Sequence, residues 1–199
     1  ELVDPYFVFS FAGAAVKSKI MYNNDHPDWN QELRLGLRFP SMCERIKLQM
    51  FDWDRVSEDD CVSSAFLKIS AMSRSGEEDK GEDGFLPTFG PCYVNFYGST
   101  REYSDLPDEY DDLNLGKGEG VAYRGRALVE LQTALGEMPE TPIDDILNED
   151  QLRVQKFMRR RKYKLHAAFL NATMISEVDA PVEFEVSIGN YGNKLDENV

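Results

Sequence analysis

Histidine, cysteine and basic residues are all in short supply in this chain, and each shortage removes a class of function. The only histidines are His26 and His166, and neither accompanies a Ser or Cys motif, so nucleophile–base chemistry has no framework. No Gly-x-Ser-x-Gly is present. Gly116-Lys117-Gly118 lacks both the upstream glycine spacing and the following Ser/Thr of a phosphate loop, so an enzyme is not indicated. Cys43, Cys61 and Cys92 are odd in number and have no Cys-x-x-Cys spacing, which reads as free thiols in a reducing compartment. Lys and Arg number 22 against 36 Asp and Glu, a net charge of −14, which argues against nucleic acid as a partner. No apolar run approaches the ~20 residues that span a bilayer.

What is present is enough for a folded body. At 199 residues the chain holds one ordinary domain plus an extension, and 42% hydrophobic and 12% aromatic residues supply a core. The acids are also concentrated. Ile46, Leu48 and Met50 alternate as in a half-buried strand, and Phe51-Asp52-Trp53-Asp54-Arg55-Val56-Ser57-Glu58-Asp59-Asp60 follows directly. Carboxylates crowded into one loop repel one another unless a cation lies between them, and Ca²⁺ takes about 6–8 hard oxygen ligands in a tolerant geometry. An EF-hand is excluded. Counted from Asp52, the position of the tight-turn glycine is Ser57 and that of the bidentate glutamate is Ser63. Ligands must therefore come from several loops. Taken alone, Asp52, Asp54 and Asp60 read better as solvated loop acids than as metal ligands, with Asp59 a neighbouring alternative.

Two further segments give that loop a context. Asp4-Pro5-Tyr6 leads into the β-rich Phe7-Val8-Phe9-Ser10-Phe11. Pro27-Asp28-Trp29-Asn30 precedes Leu33, Leu35, Leu37 and Phe39 at strand period. In this order, and with Asp-Trp-Asp-Arg after them, the three segments resemble the membrane-facing loops of a C2 domain. Phe39-Pro40-Ser41-Met42-Cys43-Glu44, Gly84-Phe85-Leu86-Pro87-Thr88-Phe89-Gly90-Pro91, Asn95-Phe96-Tyr97-Gly98-Ser99 and Gly116-Lys117-Gly118-Glu119-Gly120-Val121 resemble the third C2 domain of a ferlin. So do Arg159-Arg160-Arg161-Lys162-Tyr163 and the run from Phe184 to Asn193, and the likeness is closer to the dysferlin–myoferlin branch.

The resemblance implies an all-β, C2-type antiparallel β-sandwich with a C-terminal helix and a β-strand extension. It implies a C2 domain over residues 1–135, without its first strand and part of its first loop and with an acidic insertion at about 101–120. That insertion holds seven acids. A linker and helix follow at 136–162, the helix beginning near Ile143 with Ile146, Leu147, Leu152 and Phe157 as its apolar positions. Residues 163–199 form a β segment that completes the sandwich or starts a following ferlin module. Asp4, Asp52, Asp54 and Asp60 are the implied Ca²⁺ ligands. The C2 pattern places a further acid several residues before Asp-Pro-Tyr, so the site of this chain is expected to be incomplete.

Arg55 and Val56 stand at the loop tip, as contacts for headgroup and acyl chain. Trp29, behind a proline and before an apolar strand, is expected in the core, and Trp53 against the sandwich. The implied function is Ca²⁺-dependent binding to anionic phospholipid membranes in membrane fusion, vesicle trafficking or plasma-membrane repair, on the cytoplasmic face of the plasma membrane or of vesicles, in a tail-anchored parent. The alternative is a Ca²⁺-independent scaffold that packs against other ferlin domains. The net charge does not forbid membranes: beyond ~8 Å charges are largely screened at physiological salt, so the sign at the loop tips decides.

Overall fold

The computed structural model describes residues 2–38, 40–74, 85–101 and 110–158, with 164, 166, 168–171 and 173 as isolated positions. The chain divides into two compact units, Glu1–Met158 and Arg159–Val199. The basic run at 159–162 and the expected β segment beyond it lie outside the described residues, apart from those isolated positions.

Every strand pair in the first unit is antiparallel. Strands β1 (Pro5–Phe11), β2 (Ala14–Lys17), β4 (Arg45–Asp52), β5 (Asp60–Lys68), β6 (Ser73–Arg74), β7 (Pro87–Gly98) and β8 (Ala122–Leu131) form one seven-stranded sheet in the order β2-β1-β4-β5-β7-β6, with β8 also on β7. Strand β3 (Gln31–Leu33) pairs with β9 (Ile143–Asp145) in a second, two-stranded sheet. Alternation sets the buried face: Ile46 and Leu48 of β4, Ala65 and Leu67 of β5, and Val94 and Phe96 of β7 share the core with Phe7.

The large sheet is not flat. Strands β1 and β7 are three steps apart, about 14 Å at ordinary strand spacing, yet the Phe7 and Phe96 rings lie 5.3 Å apart. The β7–β8 part therefore folds over the β1–β4 part, which makes the sandwich. Trp29 closes the same core. Its ring lies 4.6 Å from Phe7, and its Nε1–H donates to the Lys19 carbonyl at 3.1 Å.

Three local expectations change. The apolar alternation at Leu33, Leu35 and Leu37 yields a strand only as far as Leu33, because β9 offers three residues to pair with, and Phe39 lies outside the described residues. Ile143–Asp145 is that strand rather than a helix start. It is held by the ladder and by Arg34, whose guanidinium reaches both Glu32 at 2.9 Å and Asp144 at 3.2 Å. The helix α2 begins later, at Asn148–Met158, with Glu149 and Asp150 in its first turn and Lys156 in its last, as the helix dipole favours. Arg153 ties it to Glu130 of β8 at 2.6 Å.

The acidic insertion is not a free surface loop over its second half. Residues 102–109 lie outside the described part, but a short helix α1 (Asp111–Asn114) and the strap after it lie on β4 and β5. Gln49 is 4% exposed and donates through Nε2 to the Gly116 carbonyl at 3.0 Å. Asn114 is buried as well. The strap ends with Val121 N–H donating to the Gly98 carbonyl at 2.9 Å.

Candidate functional site

The acids meet at the end of the sheet where β1 starts, β4 ends and β5 starts. Pro5 pairs with Asp52, and Asp52 with Asp60, so the β1–β4–β5 ladders bring these positions side by side. Asp60 stands directly opposite Asp52, on the same face of an antiparallel pair. Asp4 lies at the junction of three segments. Its N–H donates to Asp52 Oδ1 at 2.7 Å, its carbonyl accepts Trp53 N–H at 3.1 Å, and its Oδ1 accepts Asn23 N–H at 2.6 Å. Asp4 and Asp52 are thus held together by backbone bonds rather than by chance proximity.

Asp54 is fixed from behind. Its N–H donates to Asp59 Oδ1 at 3.0 Å, and Asp59 Oδ2 accepts the Tyr6 hydroxyl at 2.6 Å. Tyr6 is buried, stacks on Phe51 at 5.6 Å, and has the Lys17 ammonium over its ring at 5.0 Å. Burial first, then the hydrogen bond and charge of Asp59, then Cys61, keep the Tyr6 phenol protonated far above its usual range. It therefore remains a donor at any physiological pH. Tyr6 and Asn23 are the residues that sequence reasoning did not assign here, and Asp59, the neighbouring alternative ligand, is instead engaged by the Tyr6 hydroxyl and the Asp54 N–H. The adjacent acids Asp59 and Asp60 were the one visible signal.

Burial is the largest influence on the Asp52 carboxyl and pushes it above its ordinary value. The Asp4 N–H opposes this, while the charges of Asp54, Asp4 and Asp59 add to it. Among the described residues, no Lys or Arg ion pair reaches Asp4, Asp52, Asp54 or Asp59. These four acids therefore stand together without a paired Lys or Arg.

A carboxyl whose folded pKa exceeds its unfolded one weakens the fold wherever it is ionised. That penalty is complete above the folded pKa and vanishes as pH falls below the unfolded value, about 3.9. Asp52→Asn keeps the acceptor for Asp4 N–H and removes the charge. In chelator at pH 7 the variant is expected to melt at a higher temperature than the wild type, with the two curves merging as pH falls towards about 4. A variant that melts lower at pH 7 would show that the neighbouring charges are no burden.

The donor set suits Ca²⁺ in kind. The second oxygens of Asp4 and Asp52 and both oxygens of Asp54 accept no protein donor among the described residues, and all are hard carboxylate oxygens. The set is not a closed cage, since among the described residues no three His, Cys, Asp or Glu side chains converge closely enough to hold an ion. At the tip, Val56 is 96% exposed and Arg55 is exposed beside it. Trp53 is half-buried, and its ring meets the exposed Tyr22 edge to face at 5.7 Å rather than a core residue of the sandwich. The three cysteines are free thiols, with Cys61 buried. Among the described residues no helix is long and apolar enough to cross a membrane.

Comparison with known proteins fits this geometry. The C2 domain family profile matches residues 1–83. The chain is 53% identical over 202 residues to myoferlin of Mus musculus, 51% over 213 residues to myoferlin of Xenopus tropicalis and 50% over 215 residues to myoferlin of Homo sapiens. Each alignment covers 98% of this chain but only 10%, 11% and 10% of the relative, so the chain spans about a tenth of the length of the proteins it matches.

Proposed function

Since this chain belongs to the ferlin family, as a C2-containing segment on its myoferlin branch, we propose that it is a membrane-docking module whose loop-end aspartates take Ca²⁺ and then anionic phospholipid. The observation that carries this reading is the gathering of Asp4, Asp52, Asp54 and Asp59 at one end of the sheet without a paired cation among the described residues. Asp52 is pushed up by burial and by Asp54, Asp4 and Asp59, and no basic side chain among the described residues pairs with them.

In this reading Asp4, Asp52, Asp54 and Asp60 are the ligands, and Asp59 holds the Asp54 backbone in place. Ca²⁺ supplies the positive charge that joins these carboxylates to lipid phosphate and reverses the local field. Without it the acids repel headgroups. Arg55 then meets the headgroup layer and Val56 the acyl boundary. The parent protein is read as acting in Ca²⁺-triggered fusion, vesicle traffic or plasma-membrane repair at the cytoplasmic face of membranes.

One observation favours a second reading. Both Asp59 oxygens are already used, and no closed ligand group forms among the described residues. A metal-independent scaffold packing against other ferlin modules has the same fold.

Co-sedimentation with phosphatidylserine vesicles separates the two. Binding in Ca²⁺ is expected to fall by roughly tenfold or more in chelator and in the Asp52→Asn/Asp54→Asn double variant, the scale seen when groups of a metal site are lost. Binding that is equal in chelator and unchanged by the double variant overturns the calcium reading and favours the scaffold.

A further inference from the structure

At the opposite end of β4 and β5 the charge balance is reversed. Arg45 opens β4 and Lys68 closes β5, and the two are direct partners in the antiparallel register. Like charges placed directly opposite oppose pairing, so this is a local conflict of the kind found at functional positions. One acid answers the two cations: Glu119, on the strap between Gly116 and Val121, pairs with Arg45. Lys68 has no ion pair among the described residues.

These charges stand over a cavity of about 360 Å³. It opens where β5 and β7 part, since the two strands are joined in register only at Ser64 and Tyr97. Its polar lining is Arg45, Ser64, Lys68, Asn95, Tyr97 and Glu119. Ser64, Asn95 and Tyr97 have no side-chain hydrogen bond to protein among the described residues. A guanidinium, an ammonium, two hydroxyls and an amide facing one opening suit an anion that accepts several hydrogen bonds.

We infer that this cavity binds a phosphate monoester, with the Glu119 carboxylate covering Arg45 until the ligand displaces it. The strap keeps Glu119 at the rim, because Gly120 lies so close to the Tyr97 and Gly98 backbone that no Cβ fits there. The ligand can be a free phosphorylated molecule or a phosphorylated lipid headgroup. β4 places Arg45, and with it the charged rim of the cavity, seven residues, about 23 Å, from Asp52, while the near wall at Ser64 stands opposite Gln49, three residues, about 10 Å, from it. A domain docked through its aspartates therefore holds this charged rim away from the bilayer, which favours the free molecule.

The test is calorimetric titration of this chain with inorganic phosphate and with inositol monophosphate. A parallel sedimentation uses phosphatidylcholine vesicles containing phosphatidylinositol 4-phosphate, and chelator is present throughout so that the outcome is independent of the calcium reading. Glu119→Gln is expected to tighten binding about fivefold by removing the competing charge, and Arg45→Gln/Lys68→Gln to weaken it about tenfold or more. Binding of the soluble anions alone identifies a free ligand. Binding of the vesicles, lost in the Arg45/Lys68 variant, identifies the headgroup. No binding by the wild type, or equal binding by all three proteins, overturns the inference. So does weaker binding by Glu119→Gln, whose exposed, nearly isosteric side chain leaves the fold intact.

Discussion

Replacing Phe96 by alanine is expected to remove about 3–5 kcal/mol of stability, the usual loss when a buried aromatic is truncated. Phe96 is 2% exposed and lies at the meeting point of the two layers, against Phe7, Leu48 and Val129 around the Ala65–Val94 centre. Neighbours on both layers are held by paired strands, so they cannot close the space. Single domains have only about 5–15 kcal/mol in total. The denaturation midpoint should fall sharply while the slope against denaturant stays the same. A loss below about 1 kcal/mol would show that the layers do not meet at this ring.

Gly120→Ala is expected to cost about 1–3 kcal/mol, the range for forcing extra volume into a tight site. The added methyl would strike the Tyr97 carbonyl and the Gly98 nitrogen, which are backbone and cannot rotate away. The strap must lift, weakening the Val121–Gly98 hydrogen bond and freeing Glu119 from Arg45. Gly136→Ala is the control, since an added Cβ there meets nothing within 4 Å; its effect should stay within about 0.5 kcal/mol. Urea denaturation measures both. Equal stability of the two variants would mean that the strap is not pinned at Gly120.

The main strands were legible because alternation of apolar and polar residues follows the pleat directly, as at Ile46-Lys47-Leu48 and Val94-Asn95-Phe96. The loop end was legible for the same reason: Asp4 precedes one strand and Asp52 ends the next. What was not legible depends on pairing across long separations. Ile143-Asp144-Asp145 has a helix-like beginning, but Leu33 and Glu32, more than a hundred residues earlier, take it as a strand partner. Tertiary pairing outweighs local preference there. Gln49 and Asn114 look like surface residues until the strap covers them. Nothing local separates the roles of Asp59 and Asp60. The irregularity between Met50 and Phe51 and the bond from Tyr6, fifty-three positions away, turn one acid to the backbone of Asp54 and set the other opposite Asp52.

The single stitch between Ser64 and Tyr97 divides the large sheet into two leaves. Strands β1, β4 and β5, and with them Asp4, Asp52, Asp59 and Asp60, all belong to one leaf. The opening beside Lys68 lies along that seam, whereas the acidic rim lies within one leaf.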